Sequence, residues 1–134
     1  MTLKELSQLY YLKREIQRDT QRLLELERMR AAIPGPKLDG LPRANKLPES
    51  NVERLVADIV DLQAIIESKQ AQSIHERARL ERYIAGIDDS MTRQIFSCRF
   101  VDGLSWNAVA DALGGGNTDE SVKKTCYRYL LRHP

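Results

Sequence analysis

With 134 residues the chain holds one ordinary domain or two small ones. Its hydrophobic share of 42% permits a core, while 30% charged residues and a net charge of only +2 exclude a strongly basic or acidic chain. No run of roughly 18 apolar residues is present to span a membrane, and the first dozen residues lack the basic start and apolar stretch of a secretory signal. Two cysteines, Cys98 and Cys126, cannot build a disulfide framework, so a cytoplasmic location is expected.

Residues 2–33 contain neither Gly nor Pro and are rich in Leu, Glu, Gln, Lys and Arg, all good helix formers. Leu6, Leu9, Leu12, Ile16, Leu23 and Leu26 recur at three- and four-residue steps, with Thr20 filling one slot. That spacing predicts a helix, stopped by Pro34, Gly35 and Pro36 after Ile33. Residues 34–50 carry four prolines and two glycines with little periodicity, the composition of a linker or extended loop.

Ser50 or Asn51 is placed to cap a second helix running to Ala85. A strict heptad fits it: Val52, Leu55, Ile59, Leu62, Ile66, Lys69, Ser73, Glu76, Leu80 and Tyr83. Three consecutive polar positions, Lys69, Ser73 and Glu76, predict weaker pairing at the centre than at the ends. The second helix would be about 50 Å long and the first nearly so, and together they predict an antiparallel hairpin. Val56, Val60 and Ile65 lie off the seam, so residues 52–66 carry an apolar face wider than one partner helix covers. Two hairpins pairing into a four-helix bundle would bury it, which predicts a homodimer through the N-terminal helices. The alternative is that the linker or the C-terminal part covers the same face.

After Gly86 the texture changes, with five of the eight aromatic residues in the last 47 positions. Asp88, Asp89 and Ser90 offer a helix start, and Met91, Ile95, Phe96 and Phe100 form an apolar face ending at Gly103. Ser105 caps the next helix, with Trp106, Val109, Ala110 and Leu113 on one side, until Gly114, Gly115 and Gly116 end it. Asn117 or Thr118 caps a last helix running to about Arg132, with Asp119 and Glu120 favourably placed in its first turn. Three short helices joined by glycine turns describe a helix-turn-helix unit. Ala110 supplies the small residue needed where two helices cross. On the last helix Val122, Thr125, Cys126 and Tyr129 share an inward side. Opposite them, Thr118, Glu120, Ser121, Lys123, Lys124, Tyr127 and Arg128 form the candidate DNA-contact set. Lys124 and Arg128 lie near the middle of that face and are expected to include the base reader, with Lys123 on phosphate. The expected fold is therefore all-α: a long, coiled-coil-like helical hairpin at 1–87, then a small helix-turn-helix domain at 88–134.

The stretch from Arg93 to Ser105, with Arg99-Phe100 and Gly103-Leu104-Ser105, continues into Val109-Ala110, Leu113-Gly114 and Val122-Lys123. As a set it resembles region four of bacterial sigma factors. The glycine turn and the long helical N-terminus are similar in style to the small sigma-like regulators of phages and prophages. The resemblance covers about residues 88–132, and the N-terminal half shows nothing similar to a sigma factor's promoter-melting region. It implies binding to double-stranded promoter DNA and recruitment of RNA polymerase. Two features depart from the pattern. Leu113 to Val122 is nine residues, about two more than a tight helix-turn-helix connection, and Glu120 is acidic where the helix should approach phosphate. Glu120 either stabilises the helix start or accepts from a cytosine amino group.

Residues 118–134 carry four cations against two acids, so one such module would hold DNA weakly and in a salt-sensitive way. Dimerisation or docking on polymerase would offset this. Trp106 and both cysteines are expected in the core. His75 and His133 lack partners at zinc-ligand spacing, and the glycine run lacks the Lys-Ser or Lys-Thr of a phosphate loop. No nucleophile, base and orienting group can be assembled, so neither enzymatic activity nor a cofactor or metal is expected. The leading reading is a transcription regulator; the alternatives are a phage DNA-packaging subunit of the small-terminase kind and a helical protein–protein adaptor.

Overall fold

The structure, a computed structural model, describes residues 1–34 and 49–134; the Pro-rich linker expected at 34–50 lies, apart from its ends, outside the described residues. All regular structure in these residues is helical: α1 (Leu3–Leu6), α2 (Gln8–Ala31), α3 (Glu49–Ala85), α4 (Ser90–Phe96), a π-helical turn (Ser97–Val101), α5 (Trp106–Leu113) and α6 (Asp119–Arg132). Among the described residues no helix is long and apolar enough to cross a membrane. The chain forms two compact units, one of Met1–Arg14 with Ala71–Pro134 and the other of Glu15–Gln70.

α2 and α3 run antiparallel: Lys69 meets Glu15 and Asp19, and ten residues further along α3 Arg79 meets the earlier Glu5. Leu26, Ile59 and Ile66 are buried, and Val52, Leu55 and Leu62 are half-buried, as the heptad requires. The polar seam position Lys69 is satisfied rather than merely tolerated: its Nζ lies 2.6 Å from Asp19 Oδ2 and 3.1 Å from Glu15 Oε2. These two hydrogen bonds raise the lysine pKa above its ordinary value, Asp19 contributing most. Asp19, not Thr20, therefore fills the slot after Ile16. Thr20 is exposed and returns its hydroxyl to the Ile16 carbonyl at 2.7 Å. Of the three off-seam residues, Val60 and Ile65 are 56% and 45% exposed, whereas Val56 is half-buried.

The first unit joins both ends of the chain in one core. Leu6 and Leu9 from α1 and α2, and Leu80, Ile84 and Ile87 from the end of α3, pack with Ile95, Phe96, Val109, Val122 and Cys126. The helix-turn-helix segment does not close its core alone, so the compact units divide the chain elsewhere than at residue 87. Phe96 is fully buried, with the rings of Phe100 and Tyr129 each 5.3 Å away. Burying such a side chain contributes about 1.5–3 kcal/mol.

Local chemistry sets the helix ends. Thr2 Oγ1 accepts from the Glu5 N–H, and the Glu5 carboxylate accepts from the Thr2 N–H at 2.8 Å, a reciprocal cap. The first helix is interrupted at Ser7, whose hydroxyl donates to the Leu3 carbonyl at 2.8 Å and so competes with the backbone ladder. α2 ends at Ala31, two residues before Ile33. α3 begins at Glu49, so Ser50 and Asn51 lie inside the helix rather than capping it. Asp89 caps α4 through the Thr92 N–H. Thr92 is buried and Met91 is 37% exposed, so the inward position falls one residue later than expected. α4 itself ends at Phe96, and the chain reaches Gly103 through the wider π turn, where the Asp102 N–H bonds the Ser97 carbonyl at 3.0 Å.

Candidate nucleic-acid interface

Ser105 Oγ accepts the Ala108 N–H at 3.2 Å and starts α5, whose inward residues Val109 and Ala110 are buried. Gly114 ends α5 with φ +67°, and Asn117 closes the turn by donating Nδ2 to the Gly114 carbonyl at 2.7 Å. Thr118 and Ser121 then lock the start of α6. Thr118 Oγ1 accepts the Ser121 N–H at 3.1 Å, while Ser121 Oγ accepts the Thr118 N–H at 2.9 Å. The two hydroxyls are thus engaged in capping, and Ser121 is half-buried. Asp119 and Glu120 occupy the first turn, where a carboxylate interacts favourably with the helix dipole.

From this start α6 divides cleanly. Val122 and Cys126 have no exposure at all, whereas Glu120, Lys123, Lys124, Tyr127 and Arg128 are all exposed. Their spacing of three and four residues puts them on one face, as the sequence predicts. Thr125, expected inside, is half-buried and bonds the Ser121 carbonyl at 2.9 Å. Burial pushes the Cys126 thiol up to about 12 and raises Cys98 as well, so both sulfurs are held as thiols at neutral pH.

Two clefts flank the exposed face, and they differ in charge. On one side Arg128 and Arg132 border a cleft of about 520 Å³ with Asp88, Asp89 and Thr92. His133 stacks on Tyr129 at its edge, with ring centroids 4.1 Å apart. The Thr92 hydroxyl and N–H hold the Asp89 carboxyl below its ordinary range, so this side keeps a negative charge beside Arg128. On the other side Tyr127 meets Trp106 edge-on at 6.2 Å, and the Arg99 guanidinium lies 4.5 Å from the centre of the Trp106 ring. Arg99 is fixed there by donating Nη1 to the Leu104 carbonyl at 2.9 Å. Lys123 Nζ is 5.9 Å from the Tyr127 ring centre. The cations of this side are therefore Lys123 at Tyr127 and Arg99 at Trp106.

Sequence reasoning misses Arg99, and with it Tyr10 and Tyr11, which line the aromatic cleft beside Trp106 and Tyr127. The one signal in the sequence is the adjacent pair Tyr10-Tyr11, the only aromatic residues before position 83. Half-buried Trp106 packs against the core and also walls this cleft. Neither a family model, nor a curated protein, nor a solved structure matches the chain.

Proposed function

We propose that the protein is a cytoplasmic, sequence-specific DNA-binding transcription regulator of phage or prophage type, acting at promoters together with RNA polymerase. It works by binding rather than by catalysis. The observation that carries this reading is the two-sidedness of α6. Val122 and Cys126 anchor the helix with zero exposure, while Lys123, Lys124, Tyr127 and Arg128 stand exposed opposite them, behind a glycine turn from α5. This is the arrangement by which a recognition helix offers cations and donors to the major groove. The resemblance to sigma region four over residues 88–132 supplies the promoter and the polymerase.

The exposed Val60 and Ile65 support self-association of the N-terminal helices. Two copies would bring two weakly charged recognition helices to one duplex, and the second contact would then form at high effective concentration. The test is selection of duplex fragments by the purified chain from a random pool, followed by sequencing. A shared motif, bound more weakly as salt rises, is the expected result. No duplex retained at low salt would overturn the reading and leave a protein-binding adaptor.

A further inference from the structure

The aromatic cleft shares only Tyr127 with the exposed face of α6 and has a composition of its own. Five of the chain's eight aromatic rings line it: Tyr10, Tyr11, Phe100, Trp106 and Tyr127. Tyr11 is 61% exposed and Tyr10 and Tyr127 each 37%, so three rings stand partly in solvent at its mouth. Among the described residues no acidic side chain lines the cleft, whose one charged wall residue is Arg99. Each of the cation–ring pairs found among the described residues falls on one of these rings: Arg14 on Tyr10, Arg99 on Trp106 and Lys123 on Tyr127. Arg14 is further held by donating Nη1 to the Tyr10 hydroxyl at 2.9 Å. The volume of about 480 Å³ is that of a small-ligand site, which spans roughly 300–1,000 Å³.

Partly exposed rings, three of them with a cation over one face, match a polyanion that carries flat aromatic groups, and an unpaired nucleic-acid strand is such a ligand. Its bases stack on aromatic side chains whatever the sequence, while its phosphates follow the positive rim. A base in an intact duplex is already stacked and cannot enter. We propose that this cleft binds unpaired bases of a single DNA strand, with Tyr11 and Tyr127 as stacking platforms and Arg14, Arg99 and Lys123 along the backbone path. The inference rests on the DNA-binding reading of α6: Tyr127 belongs to both surfaces, so a strand opened beside a duplex on α6 would meet the cleft directly. Duplex capture and strand capture would be neighbouring steps on one surface.

Trp106 is the only tryptophan of the chain and walls the cleft, so its emission reports binding there, and the Tyr11 variants separate the cleft from contacts made through Tyr127 on α6. The full-length protein is titrated at low salt with a 12-residue oligothymidylate, and separately with the selected duplex. The single strand is expected to change Trp106 emission saturably. Tyr11→Ala should weaken that binding by about five- to 150-fold, while Tyr11→Phe keeps it and both variants keep the wild-type helical circular dichroism. Duplex binding with no response to oligothymidylate would overturn the cleft proposal and leave the α6 reading standing. Loss of response to both ligands would overturn both. A response to the single strand that Tyr11→Ala leaves unchanged would place the strand elsewhere and overturn the proposal, as would an oligouridylate that binds more tightly than its DNA counterpart. An acidic peptide that alters Trp106 emission where the oligonucleotide does not would make the cleft a protein-docking site instead.

Discussion

Gly103 lies directly against Tyr10: a Cβ built on the glycine would sit 3.5 Å from Tyr10 Cδ2, and its φ is +71°. That distance is ordinary contact, so the restriction comes from the backbone rather than from crowding. The glycine lets the chain turn sharply after the π turn while keeping the N-terminal helix close. Gly103→Ala is expected to cost about 1–2 kcal/mol, the penalty for an L-residue in the left-handed region. The midpoint of urea unfolding measures it, and an unchanged midpoint would mean that this φ is not maintained in solution.

Asp89 makes the start of α4 sensitive to acid. Its Oδ2 accepts from the Thr92 hydroxyl at 2.7 Å and from the Thr92 N–H at 3.0 Å, and these bonds lower the carboxyl pKa from the ordinary 3.8. A depressed carboxylate contributes stability in full above its ordinary pKa and loses it as pH falls through the folded value. Asp89→Ala should therefore lower the melting temperature at pH 7, with the gap to wild type closing at acid pH. Asp89→Asn, which also caps well, should stay near wild type at neutral pH. A gap for Asp89→Ala that persists unchanged in acid would assign the effect to packing rather than to the charge.

On α6, alanine at Lys123, Lys124 and Arg128 together should leave folding intact, since all three are exposed. Removing a side chain that touches phosphate lowers affinity evenly across sequences and reduces the salt slope by about one per DNA-bound subunit. Removing one that touches a base relaxes preference at one position by roughly 1–3 kcal/mol. Arg128 shares a cleft with Asp88 and Asp89, whereas Lys124 does not line it. Lys124→Ala is thus expected to weaken binding more than Arg128→Ala. If the triple variant binds duplex DNA with unchanged affinity and salt dependence, α6 is not the recognition helix.

The proposed dimer has a test that spares the fold. Ile59 is buried in the seam, so Ile59→Ala would cost about 2–5 kcal/mol and unfold the helix pair together with any dimer. Val60→Lys and Ile65→Lys act on the exposed side instead. At micromolar concentration the wild type should sediment at twice the chain mass and the double lysine variant at the monomer mass, with equal helix content. A monomeric wild type would remove the bivalent model of DNA binding.

Features set by near neighbours are legible in the sequence. Ser105 and Thr118 can be read as caps because capping is settled within four residues, and the heptad from Val52 to Tyr83 because α3 has no interruption. The pattern favours Thr20 over Asp19 for the seam because the choice depends on Lys69, fifty positions away. The aromatic cleft and the shared core are hidden for the same reason: nothing near Leu6, Leu9, Tyr10 or Tyr11 announces that they meet residues beyond position 80. A consequence is that a fragment of residues 88–134, stripped of Leu6, Leu9, Leu80, Ile84 and Ile87, should lack cooperative thermal unfolding by circular dichroism. Cooperative melting like that of the whole chain would show that its inner contacts suffice.

The π turn at Ser97–Val101 has a meaning in terms of insertion and deletion. A wide turn is the footprint of one residue more than a regular helix needs, and each residue advances an α-helix by about 100°. Removing Ser97 would let the segment close into an ordinary helix with better backbone geometry. The wide turn absorbs the surplus residue, so the chain beyond Val101 would keep its phase, and the change would fall on Arg99 and Phe100 inside the turn, which wall the aromatic cleft. The surplus residue thus sets where Arg99 and Phe100 stand in the cleft, and a shortened chain would gain a neater helix while losing that placement.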